Sequence, residues 1–268
     1  MKSFLHSSFL FVFLALLACP APSFAGSSSG SRAGVELYGE EAIRLFAQKV
    51  NHTLDDAKVN LAVIGRSGRP RSQLPQGISY THVAIVVFEP VTTPDGKIGH
   101  TYTVYNLYQG DQGRDDRSYL AQDFTYDFVA GSAERDVAVI VPVEALQKRI
   151  LGVIRSPAYQ ALHNPQYNLV TNPWVDKYDN CVSHTLKVCV AAIYQTDDRA
   201  RIYGNIRNYF TPTPVKLSAL QSFGSAFMRS VSRDDAEKSG LQTATFGSLK
   251  TFFVENGLMK SSFTITMN

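Results

Sequence analysis

Cysteine is scarce in this chain, three among 268 residues, and tryptophan occurs once. So few cysteines exclude a disulfide-stapled scaffold. An excess of one charge is also lacking. The 26 Lys and Arg residues against 23 Asp and Glu give a net charge of +3. Arg66, Arg69 and Arg71 cluster near a turn rather than along a stripe, so no nucleic-acid partner is implied. No paired Cys or His motif with ligand spacing occurs, so neither a metal nor another cofactor is expected. Long hydrophobic runs are confined to the N-terminus, where residues 9–18 form an apolar stretch too short to span a bilayer.

That stretch reads as targeting. Lys2 supplies a positive start, and Ser23-Phe24-Ala25 places small residues where a signal peptidase reads them. Residues 1–25 are therefore expected to be a signal peptide cleaved before Gly26, giving a periplasmic or secreted protein. The alternative is a lipoprotein anchored at Cys19, since Leu16-Leu17-Ala18-Cys19 resembles a lipidation box. Residues 26–34, rich in Gly and Ser, read as a flexible leader. Residues 35–268 read as a single domain with a C-terminal helical extension, long enough to bury a core.

Hydrophobic periodicity gives a coarse order of elements. A helix is expected over 39–52 and a strand over 57–64, then a loop rich in Gly, Pro and Arg. Residues 82–88, His-Val-Ala-Ile-Val-Val-Phe, read as a strand buried on both faces. Pro94-Asp95-Gly96 marks a turn to a second strand over 102–108. A third strand is expected over 137–141, with Pro142 opening a helix. A short helix follows Ser156-Pro157. Helices are expected over 181–194, 197–209, 217–229 and 246–256, and a closing strand over 263–267. The fold class is α+β, strands early and helices late.

Cys181 and Cys189 lie eight residues apart in one expected helix. Their backbones should be about 12 Å apart, beyond the roughly 7 Å limit of a disulfide. Cys181 therefore reads as a free thiol. Asp179 or Asn180 caps the helix and puts Cys181 in its first turn. Unpaired N–H groups and the positive dipole end there favour a thiolate, as a nucleophile requires. His82 opens a strand that otherwise reads as core, where imidazole is expensive to bury without partners. Asn106 interrupts the next strand and can orient an imidazole, with His100 and Tyr102 as rivals on the same hairpin. Tyr80 is a candidate oxyanion donor. Trp174, with Tyr167 and Tyr178, marks the 164–180 loop as a recognition surface. His184, one turn after Cys181, reads as a solvated helix residue or as a group tuning the thiol.

Tyr80-Thr81-His82-Val83-Ala84-Ile85 and Asn180-Cys181-Val182-Ser183-His184 together resemble the permuted NlpC-type papain-like group. That group includes lecithin:retinol acyltransferase and bacterial amide hydrolases. The segments 137–142 and 167–172 are also similar to a bacterial secreted family of unknown function. The resemblance covers about residues 57–195. It implies a permuted papain-like fold with an antiparallel sheet packed on the nucleophile helix. It also implies acyl transfer with Cys181 as nucleophile, His82 as base and Asn106 as orienting group. Two departures stand out. His184 falls one position later than the acyltransferase motif has it, and Asn106 replaces a second histidine on a longer hairpin.

The function expected is an exported thiol hydrolase of an amide bond, acting on a peptide or acyl substrate, with peptidoglycan as a candidate. Two alternatives stand beside it: a non-catalytic envelope protein that binds a ligand or partner, and a lipid acyl hydrolase or acyltransferase.

Overall fold

A computed structural model describes residues 32–93, 95–216, 231–238 and 240–268. The expected signal peptide, Cys19, most of the leader and the helix over 217–229 lie outside the described residues. Helix α1 (Ala33–Tyr38) leads directly into α2 (Glu40–Asp56), so Ala33 and Gly34 of the expected leader are helical. Ile43, Phe46, Ala47, Val50 and Leu54 form the buried stripe of α2, which runs a turn beyond the sequence expectation. Lys58, with φ 50°, turns the chain, so strand β1 (Leu61–Arg66) starts later than residue 57.

Strand β2 (His82–Thr92) and β3 (Ile98–Gln109) form the expected hairpin. Strand β4 (Ser118–Phe124) and helix α3 (Thr125–Ala130) were not foreseen. Strand β5 (Asp136–Pro142) includes Pro142, which does not open a helix; α4 spans Glu144–Ile154. Then come α5 (Ala158–Ala161), α6 (Cys181–Tyr194) and α7 (Arg199–Tyr209). A two-stranded ribbon pairs β6 (Thr213–Val215) with β7 (Leu241–Thr243). Helix α8 (Phe246–Glu255) and strand β8 (Met259–Thr266) close the chain.

The architecture is α+β. Six strands pair antiparallel in the order β4-β3-β2-β1-β5-β8. Alternation along β2 divides the core. Val83, Ile85 and Val87 pack toward α4, α6, α7 and α8. Ala84 and Val86 pack toward α2 and α3 on the other face. Both faces are covered, which is why β1, β2 and β5 read as continuous apolar runs. Every residue of α6 from Cys181 to Ala192 is buried. This helix is enclosed by the sheet and its neighbouring helices, rather than striped like a surface helix. None of the described helices is long and apolar enough to cross a membrane.

Candidate functional site

The sheet forks at one end. Strand β2 stays paired with β1 down to Arg66↔His82, but its pairing with β3 begins only at Ile85↔Tyr105. Strand β3 continues alongside β4 to Gln109↔Ser118. Below the fork a side-chain bond replaces the backbone ladder: His82 Nε2 and Asn106 Oδ1 are 2.9 Å apart. The Asn106 amide donates to Asp123 Oδ2 at 3.1 Å and to the Val104 carbonyl at 3.2 Å. Its oxygen is thereby left to accept, so His82 carries its proton on Nε2 and presents Nδ1 as an acceptor. No hydrogen-bond partner meets that Nδ1 among the described residues. Of the three polar residues proposed on this hairpin, Asn106 is the one bonded to His82. Tyr102 donates instead to the Val59 carbonyl, and His100 packs on Phe88.

The His82 ring is stacked on Tyr108 and tilted against Phe128 of α3, with centroids 5.2 and 5.8 Å away. Arg66, across from it on β1, lies over the same Phe128 and donates to the Gly131 carbonyl. A Cβ at Gly131 would collide with the guanidinium, so a larger residue there would have to displace Arg66. Burial, then the Arg66 charge, presses the His82 pKa down to about 3. The imidazole is neutral at any ordinary pH. Arg66, although drawn down to about 10 by burial, remains a cation.

Cys181 is the first residue of α6. Asn180 Oδ1 accepts from the Val182 and Ser183 amides at 3.1 and 2.8 Å, and Ser183 Oγ accepts from the Asn180 amide at 2.8 Å. This reciprocal cap leaves the Cys181 N–H outside it. The sulfur sits against the backbone on both sides of His82. It lies 3.8 Å from the Thr81 carbonyl, and the Val83 N–H is turned toward it. The expectation of an acidified thiol is corrected here. Burial raises the Cys181 pKa, and the Val83, Val182 and Cys181 amides with Arg66 only partly offset it. The resting pair is a neutral thiol and a neutral imidazole.

The structure brings Cys181, His82 and Asn106 to one end of β2, but no hydrogen bond links Cys181 to His82. His82 shares its sheet face with Ala84 and Val86, whereas Cys181 belongs to the α6 layer. Tyr80 and Trp174 are engaged elsewhere. The Tyr80 hydroxyl bonds Asp136 Oδ2 at 3.0 Å beneath the Arg71 guanidinium. The Trp174 indole donates to the Phe210 carbonyl at 3.1 Å. His184 is buried rather than solvated, edge-on to Tyr159 and His163, with Nδ1 3.9 Å from Asp179 Oδ2 and neither ring nitrogen hydrogen-bonded among the described residues. Arg66, Tyr108 and Asp123 were not singled out from the sequence as site residues. Arg66 pairs with His82, and Asp123 pairs with Val104, two residues from Asn106 on β3, so finding them requires the strand register.

Fold and site together define an α+β protein that gathers a thiol, an imidazole and a carboxamide at the forked end of an antiparallel sheet. The chain belongs to a bacterial family described as "uncharacterized protein conserved in bacteria (DUF2145)", whose pattern it matches over residues 53–253. That span includes Arg66, His82, Asn106 and Cys181. No curated protein and no solved structure gives a significant match.

Proposed function

We propose that this chain is an exported thiol hydrolase of the permuted papain-like type, cleaving an amide bond with Cys181 as nucleophile and His82 as base. One observation carries the reading. The Cys181 sulfur rests against the backbone flanking His82, whose ring is anchored through Nε2 by Asn106 and keeps Nδ1 unoccupied. The thiol–imidazolium logic of a preformed ion pair does not apply, since burial favours both neutral forms. The reaction requires the S–H to leave the Thr81 carbonyl and meet Nδ1 in the gap between β2 and β3, where it gives up its proton as the sulfur attacks the carbonyl carbon. The Cys181 N–H, outside the Asn180 cap, is placed to stabilise the oxyanion. The protonated His82 then passes its proton to the leaving amine, and water resolves the thioester. Arg66 beside the sulfur supports the negative charge while it develops.

A second reading, a binding protein without catalysis, is favoured by the burial of the sulfur and the missing Cys181–His82 hydrogen bond. Acyl-enzyme trapping separates the two. Incubation with p-nitrophenyl acetate should add one acetyl group to Cys181, detected by peptide mass, and His82→Ala should slow this at least tenfold. Acetylation that is absent, or equally fast without His82, would leave the binding reading in place.

A further inference from the structure

A cavity of about 440 Å³ opens beside the mouth of α6, lined by residues that include Arg114, Asp115, Asp116, Arg117, Tyr167 and Tyr178. Its volume suits a small ligand. Three backbone segments fix its position relative to Cys181. Tyr167 pairs with Asp179 in a parallel bridge, with Asp179 N–H on the Gln166 carbonyl at 2.8 Å and Asn168 N–H on the Asp179 carbonyl at 3.1 Å. The Tyr167 N–H donates to the Asp116 carbonyl at 2.8 Å, and the Ser118 N–H to the Pro165 carbonyl at 2.9 Å. The cavity wall is thus bonded to Asp179, two residues before Cys181.

The charges of the lining do not all cancel. Arg114 and Asp116 neutralise each other at 2.7 Å. Arg117 and Asp115 make no side-chain hydrogen bond or salt bridge among the described residues. Tyr167 is buried, and its hydroxyl likewise has no bonding partner among them. Its phenol is held well above the usual range by burial and by the neighbouring Cys181 sulfur, so it donates rather than ionises. An acyl chain placed here would strip water from four charged side chains with nothing in return. A ligand bearing both charges would match the two unpaired ones.

We propose that this cavity is a substrate subsite that takes a short zwitterionic peptide, its carboxylate on Arg117 and its ammonium on Asp115, with Tyr167 in the wall that the cavity shares with the Cys181 surroundings. This deepens the thiol-hydrolase reading and rests on it for the identity of the reacting group. It selects the peptide substrate over the lipid one.

The test measures binding rather than turnover, on the full mature chain, wild type and Cys181→Ala in parallel, by calorimetry or ligand-observed NMR. The probes are alanylalanine, its N-acetyl form, its amide and octanoate. Alanylalanine should bind most tightly and octanoate least. Arg117→Gln should weaken alanylalanine and its N-acetyl form at least fivefold and leave the amide unchanged; Asp115→Asn should weaken alanylalanine and the amide and leave the N-acetyl form unchanged. Both side chains are outside the core, so these variants should keep the wild-type Tm. Octanoate binding more tightly than the dipeptide, no dipeptide binding, or binding indifferent to both substitutions would overturn the proposal. Because binding is read in Cys181→Ala as well, a failed acetylation experiment cannot be mistaken for a failed subsite.

Discussion

Helix α6 carries a cysteine in its first turn and another two turns on, and the two have opposite surroundings. Cys189 is fully buried among apolar side chains, and burial alone pushes its thiol up to about 12. Cys181 is also buried, yet it meets a carbonyl, three amides and a guanidinium. The same contrast runs through the neighbouring polar groups. Just before α6, Asp179 is saturated: it accepts from Lys187 Nζ at 2.7 Å, Ser183 Oγ at 2.9 Å and the Asn164 N–H at 2.9 Å. His82, on the strand beside Cys181, keeps one nitrogen unoccupied. A saturated buried network holds structure together, whereas a buried group with spare bonding capacity is available for a ligand or a reaction.

The largest effect that would test this contrast is on reactivity. Cys181→Ala should abolish acetylation, a loss of at least a thousandfold, while Cys189→Ala should leave its rate within twofold. Equal losses, read by peptide mass, would erase the distinction between the two ends of the helix.

Next in size is the structural network. Asp179→Ala strands the buried ammonium of Lys187, whose remaining partner is the Leu162 carbonyl. Breaking such a pair costs about 3–5 kcal/mol, which urea denaturation at pH 7 should show. A loss below 1 kcal/mol would mean that the network is not what anchors α6.

Acid should expose the buried imidazoles. His82 stays neutral in the folded chain until about pH 3, and His184 is likewise held well below its ordinary range by burial and by Lys187. The unfolded chain protonates both near pH 6.5. Stability from these groups is therefore present above pH 6.5 and lost as pH falls toward 3. Between pH 6 and 5, before the carboxylates titrate, each histidine should approach a slope of about 1.4 kcal/mol per pH unit. His184→Leu should reduce the slope of the urea midpoint against pH over this interval; an unchanged slope would show that His184 takes up its proton without unfolding.

The smallest effect concerns the cap. Asn180→Ala should cost about 1 kcal/mol of stability, measured as a fall in Tm, with Asn180→Ser restoring part of it.

What was legible in the sequence was local. The cap, the start of α6 at Cys181 and the start of β2 at His82 were read correctly because a turn of helix or a run of strand is specified by adjacent residues. Strand β4 escaped because it lies at a sheet edge, and its half-exposed Ser-Tyr-Leu-Ala-Gln-Asp-Phe carries no strong apolar run. The raised pKa of Cys181 is not legible in a helix start, because the layers that bury the sulfur come from distant parts of the chain. His184 was misplaced for the same reason, since the Tyr159 and His163 rings that cover it come from a different part of the chain. Arg66 became visible as a neighbour of His82 only once β1 and β2 were set in register.

The fork in the sheet has one practical consequence. Since β3 has departed at Val83, that residue's N–H faces a sulfur instead of a carbonyl. Its NMR frequency should therefore move whenever Cys181 is acylated, alkylated or oxidised, and stay still when events elsewhere leave the sulfur untouched. The fold thus supplies a spectroscopic indicator of the state of its own thiol, readable without a label attached.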